Sequence, residues 1–173
     1  LGDDDVAKLV EDCARLLKAT RVPGGTFRCV FDPDMAGLFA HEAFGHGTEA
    51  DMFTKRRAKG ADYMNKRVAS ELVDMFDNPS LPGQAASYFF DHEGQLATST
   101  QIITRGILTA PMTDLISATK LHIGRSANGR RESVQRKVYT RMSNTYFGGG
   151  TAKHDDLVAS LDDGLVVRHA RNG

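Results

Sequence analysis

Hydrophobic residues at the start of the chain have the spacing of an amphipathic helix. They recur every three or four positions from Val6 to Leu17, and the aspartates ahead of them favour a helix start. We therefore predict a helix over roughly residues 4–19. The following segment, residues 26–31, alternates apolar and polar positions and predicts a strand.

The two cysteines fall on the apolar sides of these two elements. Cys13 lies on the stripe of the helix, and Cys29 alternates with the phenylalanines of the strand. Because free cysteine behaves as a small hydrophobic residue, we expect both thiols to be buried rather than to bind metal. Two cysteines do not form a disulfide framework in a chain of this length, which indicates a reducing, cytoplasmic setting.

A second helix is predicted to begin at Asp32-Pro33. Aspartate is a good N-cap, and proline is favoured at the first helical position. The pattern continues through residues 37–40 into a segment with two histidines, His41 and His46. We expect this helix to end near Lys59-Gly60, where glycine interrupts the pattern.

The middle of the chain has the character of β-strands joined by short turns. The turns are expected at residues 91–94, where a glycine supplies positive φ, and at Arg105-Gly106. Strands are expected over four segments, namely 71–76, 86–90, 96–104 and 107–112. Consecutive strands with short turns predict an antiparallel meander.

The rest of the chain mixes short helices with extended segments. We expect a helix over 114–123, a polar loop over 124–137, an extended segment over 138–147, a helix over 154–161 and a strand over 165–167. The sequence therefore predicts an α+β fold. In that fold, the helix that contains the histidines packs on an antiparallel β-sheet or meander.

Charge and hydropathy restrict the partners of the chain. Basic and acidic residues number 22 each, so the formal net charge is zero and no overall field attracts nucleic acid. No apolar run is long enough to span a membrane. The chain begins with Leu1 instead of methionine, and we expect it to be a fragment or a processed chain.

The motif His41-Glu42-Ala43-Phe44-Gly45-His46 has the composition of a divalent-metal site. Imidazoles hold such an ion, and a neighbouring carboxylate can take a proton from water. The two histidines are five positions apart, which leaves them roughly 140° apart on an ideal α-helix. A π-type turn of about 4.4 residues would bring them within roughly 50° of each other. We therefore predict that the helix is widened or broken at Gly45-His46.

Spacing alone leaves two interpretations open. The histidines form a metal site, or they fall near each other on an amphipathic helix without binding an ion. A catalytic zinc normally takes three protein ligands. The nearby acidic residues Glu49 and Asp51 are either ligands or groups that orient the imidazoles, and we favour the orienting role.

The eleven residues of the motif extended to Asp51 closely resemble the signature of the TldD/PmbA family of metallopeptidases, in its TldD branch. Three later segments resemble blocks of the same family in the same order. They are Asp91-His92-Glu93-Gly94, Asn128-Gly129-Arg130-Arg131-Glu132 and Arg141-Met142-Ser143-Asn144-Thr145-Tyr146. The resemblance covers most of the chain from about Gly25 onward.

The resemblance implies a cytoplasmic zinc peptidase that acts on unfolded or flexible peptides. His41 and His46 would bind one zinc ion, and Glu42 would be the general base. The third zinc ligand would be a cysteine that lies outside this chain, in a region that follows it. A PmbA/TldE-like subunit or a second copy would be the partner.

The resemblance also suggests how the chain is organised. Residues 1–20 would be the remnant of an N-terminal region, and residues 21–173 would form the central metallopeptidase domain without the C-terminal part of the family fold. Candidates for holding the substrate backbone are Arg141, Asn144 and Thr145. The alternative function is a non-catalytic module that holds peptides along a sheet edge, without stoichiometric metal.

Overall fold

The computed structural model describes residues 2–168, so residues 169–173 of the expected domain lie outside the described part. The helices, in chain order, are α1 (Asp3–Leu17), α2 (Pro33–Ala40), α3 (Ala50–Thr54), α4 (Gly60–Tyr63), α5 (Leu115–Leu121) and α6 (His154–Ala159). Between α2 and α3 lie a π-helical turn, His41–Gly45, and a 3₁₀ turn, His46–Thr48. The strands are β1 (Arg28–Phe31), β2 (Met75–Asp77), β3 (Thr100–Thr104), β4 (Ile107–Leu108), β5 (Gly129–Arg130), β6 (Tyr139–Thr140), β7 (Thr145–Phe147) and β8 (Gly164–Val167).

A four-stranded antiparallel sheet forms the centre of the fold, in the order β4-β3-β2-β7. Arg105 and Gly106 join β3 to β4 with φ values of 44° and 76°, the left-handed conformation that a tight hairpin turn needs. β7 comes from much later in the chain and pairs with β2, where the rings of Phe76 and Tyr146 stack with centroids 5.6 Å apart. The predicted α+β architecture is confirmed, and the meander describes β2, β3 and β4.

The strand predicted over residues 86–90 is wrong. Within that segment only Phe90 forms a β-bridge, to Leu96, across the predicted turn, in which Gly94 has a φ of 78°. The segment is held by another loop instead, since the Tyr88 N–H donates to the Pro79 carbonyl at 2.9 Å. Contacts with a neighbouring loop therefore replace the strand ladder that the local sequence suggested.

Helix α2 places the histidine motif at the edge of the hydrophobic core. As predicted, Asp32 caps it by accepting from the Met35 N–H at 2.8 Å, and Pro33 opens the first turn. Ala40, the last residue of α2, is fully buried in the main hydrophobic cluster. The other buried members of that cluster are Met75, Ile102, Ile103, Leu108 and Met112. His41, the next residue, therefore lies at the boundary of the hydrophobic core.

The helical segment ends long before the predicted end near Gly60. The Thr48 hydroxyl lies 3.0 and 3.1 Å from two carbonyls of the preceding turn, and Glu49 then adopts an extended backbone. The Met112 N–H donates to the Thr48 carbonyl at 3.0 Å, and the Ala50 N–H donates to the Met112 carbonyl at 2.9 Å. This pairing with a distant segment stops the helix, and local sequence does not reveal it.

The prediction that both cysteines are buried is wrong. Helix α1 forms nearly as predicted, but none of its described residues is buried, and Cys13 is exposed. Cys29 is also exposed, on β1, which pairs with β8 in a parallel two-stranded sheet apart from the central sheet. Amphipathic spacing identifies a face that can be buried. Within residues 2–168, nothing buries the face of α1 that contains Cys13 or the side of β1 that contains Cys29.

The later elements follow the prediction more closely. Asp114 caps α5, accepting from the Ser117 N–H at 2.6 Å, and α6 and β8 form at their expected places. The loop predicted over 124–137 contains the short strand β5, and the extended segment contains β6 and β7. None of the helices within residues 2–168 combines the length and the apolar character that crossing a bilayer requires.

Candidate metal centre

The π-helical turn brings the two motif histidines side by side. The His46 N–H donates to the carbonyl of His41, five residues earlier, so this turn contains an extra residue. The imidazole rings lie 4.7 Å apart, measured between centroids, and are nearly perpendicular, at 88°. The prediction of a widened helix is confirmed, and the five-residue spacing is compatible with two ligands for one ion.

Glu42 completes a group of three side chains able to bind a metal. One potential ligand atom from each of His41, Glu42 and His46 lies within 4.8 Å of the other two. His41 Nε2 is 3.9 Å from Glu42 Oε1. Ligand atoms around a tetrahedral zinc ion lie about 3.3 Å apart, so small side-chain rotations suffice. All three side chains are partly exposed, and an ion can therefore reach them.

Glu49 lies beside this group and is almost completely buried, with 5% of its side chain exposed. Its Oε1 atom is 3.7 Å from His46 Nδ1 and has no hydrogen bond, while Oε2 is 3.3 Å from the Arg141 guanidinium. Burial raises the pKa of Glu49, and the charge of Arg141 opposes that rise. A buried acceptor without a donor, next to an imidazole, is suited to orient a metal-binding histidine.

Asp51, the second acidic candidate, contacts a different partner. Its Oδ2 atom pairs with Lys55 Nζ at 2.8 Å, and its Oδ1 atom is buried without a hydrogen bond. Its negative charge adds to the rise in the pKa of Glu49. Asp51 therefore acts on Glu49 and does not belong to the group of three side chains that could bind a metal.

Arg141, Asn144 and Thr145, the predicted substrate contacts, lie along one wall of the site. Their side chains hydrogen bond within the protein. The Arg141 guanidinium donates to the Thr140 carbonyl at 2.6 Å, and the Asn144 amide donates to the Asn78 carbonyl at 2.9 Å. These hydrogen bonds therefore hold the wall in position.

Asp77, which the sequence pattern does not single out, organises this wall. It is completely buried and accepts from the Asn128 amide at 2.6 Å and from the Thr145 hydroxyl at 2.9 Å. It also accepts from the N–H and the hydroxyl of Ser143, at 2.8 and 2.7 Å. Its one signal in the sequence is a carboxylate at a predicted strand end, directly before Asn78.

Two clefts meet at His41, one of the three side chains that could bind a metal. The first has a volume of about 920 Å³ and lies beside the hairpin loop that joins β5 to β6. The second has a volume of about 760 Å³ and lies between α2 and the β7 wall. His41 and Ser143 line both clefts, so together they form a path that passes the histidine motif.

Several known proteins are similar to this chain over most of its length. Residues 24–173 match the family model described as the PmbA/TldA metallopeptidase C-terminal domain. A metalloprotease of Methanothermobacter thermautotrophicus is 36% identical over 163 residues, which cover 94% of this chain and 36% of that protein. A zinc metalloprotease TldD homolog of Saccharolobus solfataricus is 30% identical over 165 residues, with the same coverage of 94% and 36%. The chain thus spans about a third of the length of these curated relatives.

Two solved structures share the fold at low sequence identity. TldE from Thermococcus kodakarensis aligns with a TM-score of 0.75 and 20% identity, over 98% of this chain and 39% of that one. A putative modulator of a DNA gyrase from Thermotoga maritima aligns with a TM-score of 0.79 and 22% identity, over 94% and 36%. The same combination of helices and antiparallel sheet therefore occurs in both proteins.

Proposed function

The chain belongs to the PmbA/TldD family of metallopeptidases, and from that premise we propose that it contributes the metal site of a TldD-like zinc peptidase. His41 and His46 bind the zinc, and Glu42 acts as the general base. The observation that carries this proposal is the π-helical turn, which sets the two imidazoles beside each other with Glu42 in the same group. A regular α-helix would hold the imidazoles too far apart for one ion.

The donor set suits zinc. Imidazole nitrogens are ligands that zinc accepts, the Glu42 carboxylate beside them can take a proton from water, and a similar protein from Saccharolobus solfataricus is described as a zinc metalloprotease. A catalytic zinc takes three protein ligands. We propose, as the resemblance to the TldD/PmbA family implies, that the third is a cysteine outside this chain. Within residues 2–168, neither Cys13 nor Cys29 belongs to the group of His41, Glu42 and His46.

The residues of this chain divide the chemistry between them. Zinc, when bound, polarises the scissile carbonyl and acidifies a water molecule. Glu42 takes the proton of the attacking water and delivers it to the leaving amine. Glu49 Oε1 lies 3.7 Å from His46 Nδ1 and has no hydrogen bond of its own, so it is placed to orient that imidazole and leave Nε2 for the metal, and Arg141 holds Glu49 in place. Asp51 acts indirectly, because its negative charge raises the pKa of Glu49.

The substrate that we propose is an extended segment of an unfolded or flexible peptide. Strand β7 lies at one edge of the sheet, so its backbone can pair with a peptide in the adjoining cleft. Because the chain spans about a third of its relatives, we assign the complete activity to the whole protein. The partner would be a PmbA/TldE-like subunit, in view of the similarity to TldE, or a second copy.

Zinc content tests this proposal. The whole protein, including the region that supplies the proposed cysteine ligand, is saturated with zinc, freed of excess metal and assayed by mass spectrometry and by cleavage of an unfolded peptide. Stoichiometric zinc should be lost in His41→Ala and His46→Ala and retained in His154→Ala, whose side chain lies exposed on α6. Glu42→Gln should keep the zinc and abolish cleavage.

The same measurements separate the peptidase from a non-catalytic peptide-binding module. Retained cleavage in Glu42→Gln would remove Glu42 from the role of general base. Peptide binding with little zinc, unchanged by replacement of His41 or His46, would favour the module.

A further inference from the structure

We propose that the path beside the metal-binding group selects peptides that carry carboxylate side chains on one side of the scissile bond. This inference rests on the proposed peptidase function and names its substrate class. It comes from the unequal distribution of charge between the two clefts that meet at His41 and Ser143.

The first cleft is strongly cationic. One acidic and five basic side chains line it, namely Glu132, Arg130, Arg131, Arg136, Lys137 and Arg141. The formal net charge of the whole chain is zero, so these cations are a local concentration and not part of a generally basic protein. A cleft lined by charges of one sign focuses their field and attracts ligands of the opposite sign.

Arg131, Arg136 and Lys137 lie on the hairpin loop between β5 and β6, and Arg130 and Arg141 lie at its foot. Strands β5 and β6 pair at its foot, and the Arg131 N–H donates to His92 Nδ1 at 2.9 Å. The Arg130 guanidinium lies over the ring of Tyr88, 4.7 Å from its centroid. These contacts hold the foot of the loop beside the cleft that His41 also lines, so the cations are positioned next to the site of reaction.

Three of the five cations lack an acidic partner in the described part of the chain. Arg136 and Arg141 each pair with a nearby glutamate. Within residues 2–168, no carboxylate oxygen lies within the 4.0 Å salt-bridge distance of the charged nitrogens of Arg130, Arg131 or Lys137. These three side chains can therefore pair with carboxylates of a bound peptide without breaking an existing ion pair.

The second cleft has the opposite character. None of the described residues that line it is a lysine or an arginine, and two of them, Asp34 and Glu42, are acidic. The sign of the charge therefore changes at His41 and Ser143. A peptide that lies through both clefts meets cations on one side of the metal-binding group, so acidic residues are favoured on that side alone.

A nucleic acid is the other polyanion that such a loop could attract. The zero net charge of the chain and the position of the cations in a cleft beside the histidine motif favour a peptide. A single-stranded oligonucleotide therefore serves as the competing ligand in the test.

Binding of labelled peptides to the zinc-loaded protein, followed by fluorescence anisotropy, tests the proposal. The peptides have equal length and are neutral, or carry aspartates only in the N-terminal half, or only in the C-terminal half. One of the two acidic peptides should bind about tenfold more tightly than the neutral one, since three exposed ion pairs contribute about 0.5 kcal/mol each. Added salt should reduce that difference.

A pair of double variants locates the effect. R131E K137E should lose the preference for the acidic peptide, whereas K8E K120E, with the same change in net charge outside both clefts, should keep it. Equal loss in both variants overturns the assignment to this cleft. Acidic peptides that bind no better than the neutral one, or equally improved binding of both, overturn one-sided selection. Tighter binding of the oligonucleotide makes the loop a nucleic-acid site instead.

Zinc content and cleavage of the neutral peptide report on the peptidase independently. Zinc-dependent cleavage without any acidic preference supports the proposed function and overturns the selectivity. An acidic preference in a protein that neither retains zinc nor cleaves supports charge selection by the cleft and overturns the peptidase.

Discussion

Gly45 lies directly against the side chain of Met142, with no room for a methyl group between them. A Cβ atom built on Gly45 would overlap the Met142 sulfur, and Gly45 is itself buried in the π-helical turn. Met142 also packs on the hydrophobic cluster that contains Ala40. This close approach fastens the widened turn to the opposite wall of the site, which explains a glycine inside a helical segment.

Gly45→Ala is therefore expected to lower the free energy of unfolding by about 1 kcal/mol. Inserting a methyl group into a packed contact costs about 1–3 kcal/mol, and the higher helix propensity of alanine offsets at most about 1 kcal/mol. Zinc binding should weaken as well, because His46 follows the displaced residue. Urea unfolding and zinc titration measure the two effects.

The control for this prediction is Gly37→Ala in α2, where no atom lies within 4 Å of an added Cβ. It should be neutral or stabilising. In a Met142→Ala background, the penalty of Gly45→Ala should disappear, because the overlapping sulfur is gone. A penalty that persists in that background would show that Met142 is not the cause.

Asp77→Asn is expected to lower the free energy of unfolding by at least about 2 kcal/mol. The charged acceptor of four hydrogen bonds is replaced by an amide whose N–H groups face other donors, and a hydrogen bond to a charged group contributes about 1.5–3 kcal/mol. Peptide binding should weaken because the wall containing Ser143 is released, while zinc binding is retained. Chemical unfolding of this variant beside Asp62→Asn, an exposed control, measures the difference. Equal stability of the two variants would rule out the network as the support of the wall.

The difference between Gly45 and Asp77 shows what the sequence can predict here. The widened turn follows from a local fact, two histidines five positions apart with a glycine between them, and the structure contains it. The role of Asp77 depends on partners 51, 66 and 68 positions away, so no local pattern reports it. The helix end at Thr48 likewise depends on Met112, from another part of the fold.

The cysteines illustrate a different limit. Periodicity places Cys13 and Cys29 on faces that are capable of burial, but burial requires a second surface against them. Within residues 2–168 no such surface covers either thiol. The pattern predicted the elements well and their packing poorly, because packing depends on the rest of the fold.

Tyr88 gives a prediction about pH. Burial raises its pKa to about 12 from the ordinary value of 10.0, against the opposing effect of Arg130, and its hydroxyl donates to the Ala127 carbonyl at 2.6 Å. The folded protein holds this proton more tightly than the unfolded chain does. The resulting stabilisation is complete below pH 10.0 and is lost as the pH rises towards 12.

As the pH rises from 10.0 to about 12, the free energy of unfolding of Tyr88→Phe should therefore fall less than that of the wild type. In a titration followed by phenolate absorbance, this variant should lack the rise that occurs at the highest pH. Tyr63→Phe, at a largely exposed position, should retain that rise. An unchanged rise at the highest pH in Tyr88→Phe would assign the high pKa to another tyrosine.

Glu49→Gln tests whether the buried carboxylate orients His46 or binds the metal itself. The amide keeps the size of the side chain but loses the charge that lies 3.7 Å from His46 Nδ1. Apparent zinc affinity, measured by competition with a chromophoric chelator, should fall about 10–100-fold, the usual effect of removing the partner of a ligating imidazole. Glu132→Gln, with the same loss of charge at an exposed position, should leave it unchanged. A loss as complete as that of His46→Ala would make Glu49 a ligand, and no loss would exclude it from the site.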